Sequence, residues 1–70
     1  MSDLQRYVGN YVNIECNSGE KYEKYYVCDF TIWYDNDDRE EDSIDLLKNK
    51  EDNGGIALYA SEIKSIEIVD

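Results

Sequence analysis

From Tyr11 onward the apolar residues fall at every second position: Val12, Ile14 and Cys16 alternate with Asn13 and Glu15. That period puts one set of side chains on each face of an extended chain, so the segment reads as a half-buried β-strand. Asn17-Ser18-Gly19 interrupts it as a tight turn. A three-residue loop with Gly19 in the left-handed region sets Ile14 opposite Tyr22, and Tyr22, Tyr26, Cys28, Phe30 and Ile32 then carry the buried face onward. A two-residue loop would bury Lys21 and Glu23 instead. The first register leaves Lys24 on the inward parity, where its stem has to snorkel to solvent.

The run Lys21 to Tyr34 is long for one strand, and a strand of that length is expected to bend and serve two sheets. Asp35 to Asp42 carries too many like charges to pack and is expected to be an exposed loop, with no partners inside the domain for Asp37, Asp38, Glu40 and Glu41. Ser43 to Leu47 resumes a strand with Ile44 and Leu46 inward. Lys48 to Gly55 is a polar loop, Gly55 to Ala60 a fourth strand, Ser61 to Lys64 a single tight turn, and Ile66 to Val69 a fifth strand. Before all of these, Ser2 and Gln5 form a capping box for a short helix over Asp3 to Val8, with Leu4, Tyr7 and Val8 on one stripe and Gly9 ending it. Five strands at short intervals, joined by turn signals, predict a mainly β chain: a small closed or nearly closed five-stranded barrel behind a short N-terminal helix.

Seventy residues make one domain. Seventeen acidic side chains against seven basic ones, with no histidine, give a formal charge of −10, which opposes polymeric nucleic acid and anionic membranes as partners. A hydrophobic content of 41% is too rich for a disordered acidic tail, so the chain should fold. Met1 to Arg6 holds no apolar core of a signal peptide, and the expected location is cytoplasmic. Cys16 and Cys28 are then free thiols, both expected to be small buried hydrophobes. Without histidine or a Cys-x-x-Cys pair, no structural zinc is expected, and no cofactor is called for. A calcium loop starting at Asp35 fails in detail, because Glu40 stands where the glycine belongs and Leu46 where the bidentate glutamate belongs.

The order of elements resembles the Sm-like fold, a variety of SH3-like barrel. The resemblance rests on the capped helix before the first strand, the long second strand carrying Cys28-Asp29-Phe30, the Asp35-Asn36 that opens the next loop, and the closing Leu58-Tyr59-Ala60-Ser61-Glu62-Ile63. The chain also looks like small Sm-like proteins of low-GC bacteria and their phages. That family binds RNA through the loop after the long strand and an Arg-Gly step before the last strand. Here the first place is crowded with carboxylates and the second is Ala60-Ser61, so the RNA function does not carry over. The resemblance further implies a homo-oligomer, ring or dimer, made by pairing the fourth strand of one copy with the fifth of the next.

Two sets of residues are candidates for function. Tyrosine and tryptophan rings near a loop offer stacking platforms or anchors for a protein partner. Trp33, Tyr34 and Tyr59, with Asn36 and Ser61 at the places the resemblance marks, form a candidate ligand-binding set. Tyr25 shares with Trp33 the parity opposite the core face. A nucleotide-type ligand stacked there would suit a phage anti-defence protein that sequesters an immune signal. The acidic set Asp37, Asp38, Glu40, Glu41 and Asp42 would instead suit a protein-protein inhibitor or DNA mimic of the anti-CRISPR type, occupying a basic protein surface. An Sm-like regulatory protein is the third expectation. Catalysis has no support: there is no histidine, no thiol beside a base and no phosphate loop, so the expected function is a non-enzymatic binding module.

Overall fold

The three-residue turn forms as the sequence requires. Gly19 takes φ +96°, its amide donates to the Cys16 carbonyl at 3.0 Å, and Ile14 lies opposite Tyr22. The computed structural model describes residues 4–36, 40–51 and 54–69. In it this hairpin joins β1 (Tyr11–Cys16) to β2 (Lys21–Thr31), and the chain continues through β3 (Ser43–Leu47), β4 (Ile56–Tyr59) and β5 (Ile63–Val69). All pairings are antiparallel, in one sheet of order β4-β3-β2-β1-β5. Five strands form as expected, with β5 starting at Ile63 rather than Ile66 and β2 ending at Thr31, but β2 serves one sheet rather than two.

Nor does the barrel close. β4 and β5 stand at opposite edges of the sheet and share no ladder among the described residues. A 3₁₀ turn, Ala60–Glu62, links them directly and carries the chain from the β3 side over to β1, where Ile63 meets Cys16. Three residues span about 10 Å at most, so the two edges approach at this end of the sheet.

The interior departs from simple alternation along β2. Asn13 of β1 faces two residues of β2, because Val12 pairs with Tyr25 while Ile14 pairs with Tyr22. The extra residue is accommodated by Lys24 at φ +57°, whose amide donates to the Asn13 Oδ1 at 2.8 Å. A bulge of this kind inverts the side-chain parity beyond it. Tyr25 and Val27 therefore turn inward, and Tyr26 and Cys28 outward, against the alternation expected from Tyr22. Lys24 is exposed and has no need to snorkel. A second irregularity between Val27 and Asp29 restores the first parity, and Phe30 returns to the core side opposite Ile44. Cys28, expected to be buried, is exposed, whereas Cys16 is buried, and both are free thiols.

The resulting core is Leu4, Val12, Ile14, Cys16, Val27, Ile44, Leu46 and Leu58, with Tyr7, Tyr22, Tyr25 and Phe30 packed around it. Leu4 comes from a 3₁₀ turn, Leu4–Tyr7, in place of the expected helix over Asp3 to Val8. Ser2 and Asp3, and with them the capping box, lie outside the described residues. Three residues per turn align Leu4 with Tyr7 but swing Val8 away, which is why Val8 is 39% exposed rather than on the apolar stripe.

The bulge makes a direct prediction. Asn13→Ala should destabilise the fold by about 1 kcal/mol through the loss of one acceptor. Lys24→Gly should hold or raise stability by up to about 1 kcal/mol, since glycine adopts positive φ without a Cβ clash, and Lys24→Val should lower it. Urea denaturation checks all three, and indifference to both Asn13→Ala and Lys24→Val would contradict a bulge at this place.

Candidate functional site

At Thr31 the ladder stops, and Trp33–Asp35 forms a 3₁₀ turn instead of continuing β2 to Tyr34. The turn is closed by the Asp35 amide on the Ile32 carbonyl at 2.9 Å and the Asn36 amide on the Trp33 carbonyl at 3.3 Å. Asp42 anchors it from across the loop: its Oδ1 accepts the Trp33 amide at 2.9 Å. Asn36 fastens the other side, donating from Nδ2 to the Glu41 carbonyl at 2.8 Å and the Ser43 Oγ at 3.1 Å. Short polar side chains bonding nearby main chain hold the two described ends of the loop together.

The same loop is joined to the β4–β5 connection. The Ser61 amide and hydroxyl donate to the two carboxylate oxygens of Glu41 at 2.8 and 3.1 Å, and the Ala60 amide donates to the Asp42 carbonyl at 2.9 Å. Tyr59 pairs with Ser43 in the β3–β4 ladder, and its amide is capped by the Glu62 carboxylate at 3.0 Å. The fold thus brings Asn36, Glu41, Asp42, Tyr59 and Ser61 to one end of the sheet. Trp33 and Tyr34 project there, edge to face with centroids 5.4 Å apart, and are 49% and 65% exposed. Tyr25, grouped with Trp33 by parity, instead packs against the core beside Tyr22.

The acidic loop is not the uniformly solvated segment its composition suggests. Asp42 is buried at 8% exposure, and Glu41 is half-buried on Ser61, so both serve the domain's own structure. Glu40 is exposed, and Asp37 and Asp38 lie outside the described residues. Like-charge repulsion argues against packing a run of carboxylates, but a carboxylate that receives main-chain donors overcomes it. Ser43 and Glu62 belong to the same arrangement, and neither lies among the candidate residues of the sequence. The loop-end position of Asn36 and Asp42, where such side chains commonly bond main chain, is the signal that could have found their roles.

Described cations sit elsewhere. Arg6 lies over the Tyr7 ring at 5.1 Å, Lys50 over Tyr26 at 5.5 Å, and Lys64 meets Glu15 at 3.8 Å. Lys21 and Lys24 belong to the hairpin, and Lys48 follows β3. On the outer face Asp29 and Asp45 stand opposite each other. Burial, and secondarily the Asp29 charge, raises the Asp45 carboxyl above its ordinary value, and partial desolvation of the sulfur, followed by the Asp45 charge, raises the Cys28 thiol although the residue as a whole is exposed. No group of three potential metal ligands occurs among the described residues, and no helix among them is long and apolar enough to cross a membrane. No protein family, curated protein or solved structure matches the chain.

Two outcomes follow. Asp42→Ala should cost about 1.5–3 kcal/mol, the range for a hydrogen bond to a charged acceptor, and shift Trp33 emission. Equilibrium unfolding followed by fluorescence would measure both, and an unchanged midpoint would remove the anchor. Because the folded state binds the Asp45 proton more tightly than the unfolded state, that residue's contribution is complete below the ordinary carboxylate range and is lost as pH rises through its raised value. Asp45→Asn should therefore be more stable than the parent at neutral pH, with the advantage shrinking on acidification. An advantage that grew on acidification would contradict this assignment.

Proposed function

We propose that the protein is a non-enzymatic binding module, that its recognition element is the Trp33–Tyr34 pair, and that its partner is a basic protein surface. The observation that carries this reading is the pair itself: two large, exposed rings on a turn anchored by Asp42 and Asn36. A turn whose main chain is already fixed loses less entropy on docking than a free loop would, which suits rings acting as interface anchors. Asp35 and Glu40 are exposed on the same loop, whose sequence from Asp35 to Asp42 holds six carboxylates against the single Arg39, so its net charge favours a cationic partner. Glu41 and Asp42 act in this reading as supports for the rings rather than as the docking charges.

A nucleotide-type ligand stacked on Trp33 is the second reading, favoured by the same exposed rings but opposed by the field. Trp33 is the only tryptophan, so its emission reports on this surface alone. An arginine-rich peptide should change that emission saturably, with affinity falling steeply as NaCl rises from about 0.05 to 0.3 M. A saturable response to nucleotides and none to the peptide would replace the first reading with the second. Silence toward both would reject the surface.

We further propose an Sm-like arrangement that self-associates by adding β4 of one copy to β5 of the next. Support comes from the strand order, from the contact between the loop after β2 and the connection before β5, and from two open edges. Ile68, on the inward parity of β5, is left 42% exposed. The Tyr59 amide is directed to Glu62 rather than to β3, and strand alternation directs the Ala57 amide to the same open edge. Ala57→Pro should therefore keep the fold and block strand addition. Light scattering should give a multiple of 8.2 kDa for the parent and 8.2 kDa for the variant. A monomeric parent at micromolar concentration would overturn the proposal.

A further inference from the structure

The incomplete closure of the sheet leaves a cleft of about 420 Å³ between the β1–β2 turn and edge strand β4, and neither Trp33 nor Tyr34 lines it. That volume lies within the usual range for small-molecule sites, roughly 300–1,000 Å³. Its apolar lining is supplied by buried Cys16 and Leu58 with half-buried Tyr22 and Ile56. Its walls are fixed to each other: the Asn17 amide donates to the Glu62 carbonyl at 2.9 Å, and the Asn17 Nδ2 donates to the Ser61 carbonyl at 2.7 Å. The cleft is therefore formed before any ligand arrives.

Its charge is of one sign. Glu20 and Glu62 both line it, and no lysine or arginine does. One Glu62 oxygen caps the Tyr59 amide, while the other oxygen and the Glu20 carboxylate have no hydrogen-bond or ion-pair partner among the described residues. Both charges are felt at the apolar lining: after burial, Glu20 and then Glu62 raise the Cys16 thiol above its ordinary value. An anionic guest would meet two uncompensated carboxylates, and a neutral one would leave them unanswered. We propose that this cleft binds a small organic ammonium ion, its apolar body against Cys16, Tyr22 and Leu58 and its charged head answered by Glu20 and Glu62. The site is separate from the Trp33–Tyr34 surface and does not depend on the function proposed for it.

Phenethylamine, 2-phenylethanol and phenylacetate form a probe series of nearly constant shape and changing charge. Titrated into ¹⁵N-labelled protein, phenethylamine should shift the amides of Ser18, Glu20, Ala57 and Ser61 saturably, with Kd on the order of 1 mM for a ligand of this size. The alcohol should bind about fivefold more weakly, and phenylacetate should not bind. Glu20→Gln and Glu62→Gln should each weaken phenethylamine by about the same factor, the second keeping an oxygen to cap Tyr59. Equal binding of the alcohol, shifts centred on the Trp33 indole, or no saturation would each overturn the proposal. The three probes are compared at one fixed protein concentration, so that strand addition at β4 contributes equally to each titration. The probe comparison on the parent chain decides the matter even if a variant fails to fold.

Discussion

One buried carboxylate, Asp42, ties together the three segments that meet at the functional end of the molecule. Its side chain holds the Trp33 amide and its carbonyl holds the Ala60 amide, so the exit of β2, the start of β3 and the β4–β5 connection are fixed to one residue. A buried charge is tolerated only when donors answer it, and main-chain amides answer it without the entropy cost of ordering a long basic side chain. Asn36 and Glu41 extend the arrangement to Ser43 and Ser61. The exposed rings of Trp33 and Tyr34 are a consequence: the turn that carries them has little freedom to fold them back onto the sheet.

Where the sequence was legible, one dominant force acted alone. The β1 alternation, the Gly19 turn and the inward Ile44 and Leu46 follow from burying one face of a regular strand, and each stands as expected. β2 was not legible, because a bulge reverses parity without changing composition. Its one visible trace was Lys24, a charged residue that regular alternation would have turned inward. Reading that conflict as a break in the ladder, rather than as a snorkelling side chain, would have placed Tyr25 and Val27 in the core. The N-terminal turn differs from the expected helix in kind rather than in place, since Leu4 and Tyr7 satisfy the spacing of an α-helix and of a 3₁₀ turn alike.

The acidic stretch divides by function in the same way. Among the described residues, Glu41 and Asp42, whose carboxylates find amides within the domain, become structure, while Asp35 and Glu40 remain as surface charge. Composition alone could not make that division, because it depends on which main-chain donors the β4–β5 connection brings near. The open edges of β4 and β5 have a parallel origin: a three-residue link brings the strands close at one end without pairing them, and both the cleft and the free edges follow from it.

The central claim is that Trp33 and Tyr34 are presented by a fixed turn and not by a mobile loop. Native-state hydrogen exchange at the Trp33 amide tests it most directly, since the only acceptor for that amide among the described residues is Asp42. Exchange slowed by roughly ten- to hundredfold relative to an unstructured peptide is the expected result. Exchange at the unstructured rate, with Val27 in the same spectrum still protected, would show that the rings are not held and would contradict the account.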